Sequence, residues 1–239
     1  MTQKLYLETP YETQFEAEVV AIDGNNIRLS KSLFYPTSGG QPGDTGTLQV
    51  ANQNIQIATT LKDKEQDEVI HVLAEGSALP AIGDKVTGQI DWETRHKHMR
   101  MHTAMHLLCS LIVGDATGGQ IGSEKSRLDF NVPSGAYDKE DLTEKINALI
   151  AADHPITTSW ITDEELEANP SLIRTMSVKP PMGSGKVRVV KIGTDDNLID
   201  FQPCGGTHVS STKEIGKIRI SKIENKGAQN RRFNLVFDD

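Results

Sequence analysis

Two short stretches, His102-Thr103-Ala104-Met105-His106 and Cys204-Gly205-Gly206-Thr207-His208, each set two nitrogen or sulfur donors four residues apart. On a helix, positions i and i+4 lie one turn apart on the same face, so both imidazoles of the first pair can reach one ion. The second pair is separated by two glycines, which allow a tight turn rather than a helix. Thiolate with imidazole is a donor mix that suits zinc, and four such groups fill a tetrahedral shell. The expectation is a Zn2+ site built from His102, His106, Cys204 and His208, two distant parts of one domain.

Each half has competitors. His98 and His102 form a second, overlapping His-x-x-x-His, although Arg95, Lys97 and Arg100 around His98 suggest a position nearer solvent. Cys109 follows His106 by three residues and could swing toward the ion, or simply sit as a small buried residue. Histidines are often satisfied without metal, and a glycine turn can carry an incidental cysteine. Two observations favour metal. The first pair lies in an apolar pattern (Met101, Ala104, Met105, Leu107, Leu108, Leu111, Ile112) that reads as a buried helix, where a histidine needs a partner. Cysteine is also scarce, with only Cys109 and Cys204 in the chain.

The flanks carry a resemblance. Arg100-Met101-His102-Thr103-Ala104-Met105-His106-Leu107-Leu108 and Cys204-Gly205-Gly206-Thr207-His208-Val209 resemble motifs of the editing domain of alanyl-tRNA synthetase and of its free-standing AlaX-type relatives. Phe34-Tyr35-Pro36-Thr37-Ser38-Gly39-Gly40-Gln41-Pro42 resembles the family's glycine-rich motif, with Ser38 where a third glycine is usual. Ser126-Arg127-Leu128-Asp129-Phe130 resembles the strand after the metal helix, and Arg231-Arg232 the basic pair near the C-terminus. Five matches in family order span residues 34 to 232. The resemblance implies a zinc-dependent hydrolase acting on the acceptor end of tRNA(Ala) that carries a wrong amino acid. No aminoacylation domain fits in so short a chain, so the expectation is that it neither charges tRNA nor uses ATP.

Chemistry narrows this further. A zinc protease of the His-Glu-x-x-His type needs a glutamate after the first histidine, and Thr103 stands there. An aminoacyl ester is already activated, so positioning plus a modestly activated water can suffice. A pocket for alanine cannot exclude glycine and rejects serine poorly, whereas a second site that hydrogen-bonds the serine hydroxyl discriminates well. Seryl-tRNA(Ala) is the first expected substrate and glycyl-tRNA(Ala) the second. Thr103 and Gln41 are the expected catalytic-pocket residues, and Gly39, Gly40, Gly205, Gly206 and Thr207 the expected substrate-binding ones. Local alternatives exist: Thr103 could bond its own helical turn, and Gln41 could only brace its loop.

The elements that must position these groups can be read from periodicity. The segments 19–22 and 27–29 flank Asp23-Gly24-Asn25-Asn26, a hairpin signal. Further short strands are expected at 47–51, 54–61, 69–73 and 86–91, suggesting a small β-barrel over residues 1–90. A long helix is expected over 92–113, a strand at 127–131 and a helix over 138–152 with an Asp141–Lys145 pair. Strands at 157–161, 186–192, 198–201, 217–223 and 232–237 complete an α+β class, with the barrel followed by a two-layer editing domain (91–239) of mostly antiparallel sheet.

The net charge of −8 is not the usual footprint of an RNA binder. Its distribution is uneven, since residues 168–239 hold twelve Lys and Arg against seven Asp and Glu. The basic residues there include Arg174, Lys179 and Lys191, and Lys186, Arg188, Arg231 and Arg232 are the expected tRNA contacts. A merely solvated basic face is the alternative. The absence of an apolar span, a signal sequence at Met1-Thr2-Gln3-Lys4 or a disulfide framework suggests a cytoplasmic protein with no membrane partner. One other function class competes, a nucleic-acid-binding module with a structural zinc and no turnover; a zinc amidase or esterase on small metabolites is disfavoured by the missing glutamate base and the local basic surface.

Overall fold

The computed structural model describes residues 1–63, 65–173 and 185–238. Arg174 and Lys179, two of the expected basic residues, lie outside the described residues. The chain divides into two compact units, Met1–His96 and Lys97–Asp239.

In the first unit, short strands with alternating burial close into a six-stranded antiparallel barrel. The strands are β1 (Gln3–Lys4), β2 (Gln14–Asp23), β3 (Asn26–Leu29), β4 (Lys31–Ser32), β5 (Gly46–Val50), β6 (Gln53–Asp63), β7 (Glu68–Leu73) and β8 (Lys85–Ile90). The barrel order is β2-β3-β7-β6-β5-β8, while β1 and β4 form a separate parallel pair. Period-two alternation sends Phe15, Ala17 and Val19 of β2 and Val86 and Ile90 of β8 to the interior, where they meet Ile27, Leu29, Phe34, Leu48, Ile55, Ile57 and Leu73. Each of the Val, Leu, Ile and Phe side chains contributes roughly 1.5–3 kcal/mol on burial. The expected hairpin forms, with Ile22 opposite Ile27 and Asp23 opposite Asn26.

Helix α1 (Trp92–Leu111) follows the last barrel strand. Asp91 caps it: its carboxylate accepts from Thr94 N (3.2 Å) and Thr94 Oγ1 (2.8 Å). Every residue from Met101 to Cys109 is buried, so this half of the helix is enclosed on all sides.

In the second unit, β14 (Ile218–Asn225), β15 (Asn230–Phe237), β10 (Lys125–Asn131) and β9 (Ala116–Gln120) form one antiparallel sheet in that order. Helix α2 (Lys139–Ala151) is N-capped by Asp138 and carries the expected Lys145–Asp141 pair at 2.8 Å. It blunts the sheet edge: the Asn147 side chain donates to Ile218 O (2.7 Å) and accepts from Ile218 N (3.1 Å), as a neighbouring strand would. A second antiparallel sheet runs β11 (Ile156–Thr162), β12 (Lys186–Gly193) and β13 (Leu198–Pro203). The short helix α3 (Asp163–Ala168) opens on a capping box between Thr162 and Glu165. Strand β9 and helix α3 were not anticipated. The α+β class, the barrel and the antiparallel sheets are as expected. Among the described residues, no helix is long and apolar enough to cross a membrane.

Candidate metal centre

Helix α1 presents His102 and His106 one turn apart, and β13 delivers the rest of the cluster. Strand β13 ends at Pro203. The N–H of Cys204 then donates to Arg188 O (3.1 Å), adding a rung to the β12–β13 ladder. Arg188 is buried, and its Nη1 donates to the carbonyls of Cys204 (2.8 Å) and Gly206 (2.9 Å). A guanidinium thus clamps the turn that carries Cys204 and His208.

The donor atoms of His102, His106, Cys204 and His208 all lie within 4.8 Å of one another. Cys204 Sγ is 3.5 Å from His102 Nε2 and 3.3 Å from His208 Nε2. The three rings gather closely, with His102 and His208 centroids at 4.3 Å and His106 and His208 at 4.7 Å. Neither His98 nor Cys109 belongs to this cluster, although both are buried.

The remaining ring nitrogens are held from behind. His106 Nδ1 lies 2.8 Å from Asp200 Oδ2, and Gln202 Nε2 donates to that same oxygen at 2.9 Å. His208 Nδ1 lies 3.1 Å from Thr103 Oγ1. Thr103 donates its proton to Met99 O (2.9 Å), so the hydroxyl accepts from the His208 N–H. Both contacts leave Nε2 as the nitrogen that faces the cluster.

Electrostatics favour the ligating form at Cys204 and His208 and the protonated form at His106. Burial by itself would raise the Cys204 thiol, but the charge of His102 and hydrogen bonds from His102 and His106 bring it well below the ordinary value. Burial, reinforced by the charge on His102, lowers His208 to about 3, keeping its imidazole neutral. Burial works against the charged form of His106 too, yet hydrogen bonds to Asp200 and Cys204 outweigh it and raise the ring to about 10. Metal binding there must displace that proton. A partly buried thiolate with three inward-facing imidazole nitrogens is a donor set that fits a metal ion.

The other expected site residues are placed as follows. Thr103 is fully buried behind His208, with its hydroxyl engaged by the fold. Gly205 is exposed, and Gly206 and Thr207 are buried, within the Cys204–His208 turn. Gly39, Gly40 and Gln41 belong to the first unit. Ser38 and Gln41 bridge each other across Gly39 and Gly40, whose φ values of 56° and 81° are those of a two-residue turn that needs positive φ at both positions. Gln41 is fully buried and the two glycines are exposed.

Among the basic residues, Arg231 is buried and donates to the carbonyls of Gly227 (2.7 Å), Ala228 (2.9 Å) and Asn230 (2.8 Å). Like Arg188, it serves the fold internally. Arg232 makes a two-pronged pair with Asp129, at 2.8 Å for both bonds, with part of its side chain exposed. Lys186 is exposed and lies 5.1 Å over the Trp160 ring. Sequence reasoning missed Asp200 and Gln202. Their signal was the pairing of two polar residues at i and i+2 on a short strand just before a metal-binding turn.

Matches to known proteins run along the chain. Residues 187–234, which include Cys204 and His208, match the family model described as Threonyl and Alanyl tRNA synthetase second additional domain. Residues 2–94 match that of tRNA synthetases class II (A). The Alanyl-tRNA editing protein AlaX-M of Methanosarcina acetivorans is 37% identical over 249 residues, covering 100% of each chain. That of Saccharolobus solfataricus is 36% identical over 239 residues, covering 97% of each. The Alanine--tRNA ligase of Archaeoglobus fulgidus is 38% identical over 232 residues, which cover 93% of this chain and 24% of the ligase.

Proposed function

The chain belongs to the AlaX-type family of alanyl-tRNA editing proteins, and from that premise we propose that it is a zinc-dependent deacylase of mischarged tRNA(Ala). Its substrates on this reading are seryl-tRNA(Ala) first and glycyl-tRNA(Ala) second. The observation that carries the proposal is the four-donor cluster of His102, His106, Cys204 and His208, inside the unit that contains the matched synthetase-associated segment. Zinc–nitrogen bonds of about 2.0–2.1 Å and zinc–sulfur bonds of about 2.3 Å put neighbouring tetrahedral corners about 3.5 Å apart. The Sγ–Nε2 separations of 3.5 and 3.3 Å support that ion.

Bound there, zinc supplies a Lewis acid that polarises an ester carbonyl or a water. The protein's own groups do the rest. Asp200 and Thr103 fix the tautomers of His106 and His208, so Nε2 of each faces inward. Arg188 holds the Cys204–His208 turn in shape, which fixes where the exposed Gly205 backbone stands. Gly205, Gly206 and Thr207 then border the reacting ester, and Lys186 and Arg232 offer cationic surface to the RNA backbone. Ester hydrolysis runs downhill, so no ATP is consumed. The work belongs in the cytoplasm, where tRNA is charged.

The four-donor count favours one second reading, a nucleic-acid-binding module with a closed structural zinc. Incubating zinc-loaded protein with seryl-, glycyl- and alanyl-tRNA(Ala) separates the two. Ester loss is expected to be fastest for seryl-tRNA, measurable for glycyl-tRNA and near the spontaneous rate for alanyl-tRNA. Loss of all three esters at the spontaneous rate would sink the editing proposal. Cys204→Ala is expected to lose bound zinc and deacylation together, while full zinc occupancy in that variant contradicts the ligand set.

A further inference from the structure

We propose that Asp200, supported by Gln202, is a positioning residue for the metal centre: its carboxylate orients His106 and strengthens that ring as a donor. The inference rests on the metal-binding reading given above and extends it to two residues outside the donor cluster.

Three observations carry it. First, Asp200 and Gln202 are each only 5% exposed, and a buried carboxylate is costly unless it is paired and hydrogen-bonded. Second, a single oxygen, Asp200 Oδ2, accepts both from His106 Nδ1 (2.8 Å) and from Gln202 Nε2 (2.9 Å). The ring and the amide stand 3.1 Å apart because they converge on that shared acceptor. Third, the alternation of β13 turns Asp200 and Gln202 to the same buried side, with Ile199, Phe201 and Pro203 on the other. The strand that ends in Cys204 therefore also carries the group that aims His106.

The physical consequence is specific. With Nδ1–H donated to a carboxylate, the Nε2 lone pair of His106 is fixed toward the other donors. The negative charge also makes the imidazole a stronger base and hence a stronger ligand. Asp200 is not in the donor set itself, so it acts through His106. His208 has the neutral Thr103 hydroxyl in the corresponding place, which makes the two supports chemically unequal.

The test measures zinc affinity by competition with a chromophoric chelator, and the visible spectrum of the cobalt-substituted protein, for the full chain and for Asp200→Ala and Asp200→Asn. Thermal unfolding followed by circular dichroism reports whether each variant folds. Asp200→Ala is expected to weaken zinc binding about 100-fold and Asp200→Asn about tenfold, with a shifted cobalt band in both. The asparagine can still accept from Nδ1–H but lacks the charge, so it carries the test if the alanine variant fails to fold. A folded variant with wild-type zinc affinity and an unchanged cobalt band overturns the proposal while leaving the metal site standing. A wild-type protein that binds no zinc removes the premise, and with it the proposal.

Discussion

A hydroxyl has one proton to donate and two lone pairs, and Thr103 uses all three. It donates to Met99 O and accepts from His208 Nδ1 (3.1 Å) and from Val209 N (3.4 Å). The sequence-based alternative, a threonine bonded to its own helical turn, describes one of these contacts; the other two tie helix α1 to the segment after Cys204. Removing the oxygen leaves two buried N–H groups without an acceptor, a loss of roughly 1–3 kcal/mol. Thr103→Val is therefore expected to lower the denaturant midpoint and weaken metal binding, whereas Thr103→Ser keeps both close to wild type. Equal behaviour of the two variants in denaturant titration and chelator competition would show that the hydroxyl has no such role.

At the scale of elements, the glycine-rich loop between β4 and β5 is held by close contacts that leave no room for a side chain at Gly43. Thr37 N donates to Thr60 O (2.9 Å), and Gly43 N donates to Thr37 Oγ1 (2.8 Å). A Cβ on Gly43 would sit 1.9 Å from Thr60 O, a backbone atom of β6 that cannot move cheaply. Next to it, Asp44 accepts from Tyr35 N and forms a fully buried ion pair with Arg95 of α1, whose Nη2 also donates to Leu33 O (2.6 Å). Gly43→Ala is expected to destabilise the protein by about 1–3 kcal/mol. Ser38→Gly should change stability by less than about 0.5 kcal/mol, because Ser38 does not need positive φ. Comparing their denaturant midpoints checks both statements. The absent third glycine thus leaves the turn intact, since the two residues that require a left-handed backbone, Gly39 and Gly40, are retained.

For the molecule as a whole, the barrel carries its own acid sensitivity through His71, a residue that sequence reasoning passed over. It is fully buried on β7, with Nε2 at 2.8 Å from Ser32 Oγ and Nδ1 at 3.3 Å from Ile27 O. Burial lowers its pKa from 6.5 to about 4, against a weaker opposing effect of the Ile27 carbonyl. Between those values the unfolded chain takes up the proton and the folded barrel does not. The contribution to stability is complete above pH 6.5 and is lost as pH falls toward 4, amounting to roughly 3 kcal/mol at full extent. Urea unfolding at pH 7.5 and pH 5 is expected to show a marked drop for the wild type and a smaller one for His71→Gln. An identical drop in both would assign the acid sensitivity to other groups.

Much of this was legible in the sequence because it depends on neighbours along the chain. Apolar alternation, the Asp23–Asn26 turn, the Asp141–Lys145 pair and the i,i+4 spacing of His102 and His106 are local signals, and they placed the barrel strands, both long helices and the first donor pair. Strand β9 escaped because Ala116-Thr117-Gly118-Gly119-Gln120 has no apolar alternation and is a strand through its pairing with β10. The choice among overlapping donors was beyond local spacing as well. Cys204 meets His102 across 102 positions of sequence, and the donor cluster they share takes in His106 and His208 while leaving out His98 and Cys109. The pairing of β12 with β13 set Arg188 beside the Cys204 turn as a clamp, and β13 set Asp200 behind His106. The donor types and their spacing are properties of the chain, whereas their convergence, and the carboxylate and hydroxyl that aim the rings, exist only where strands and helix meet in three dimensions.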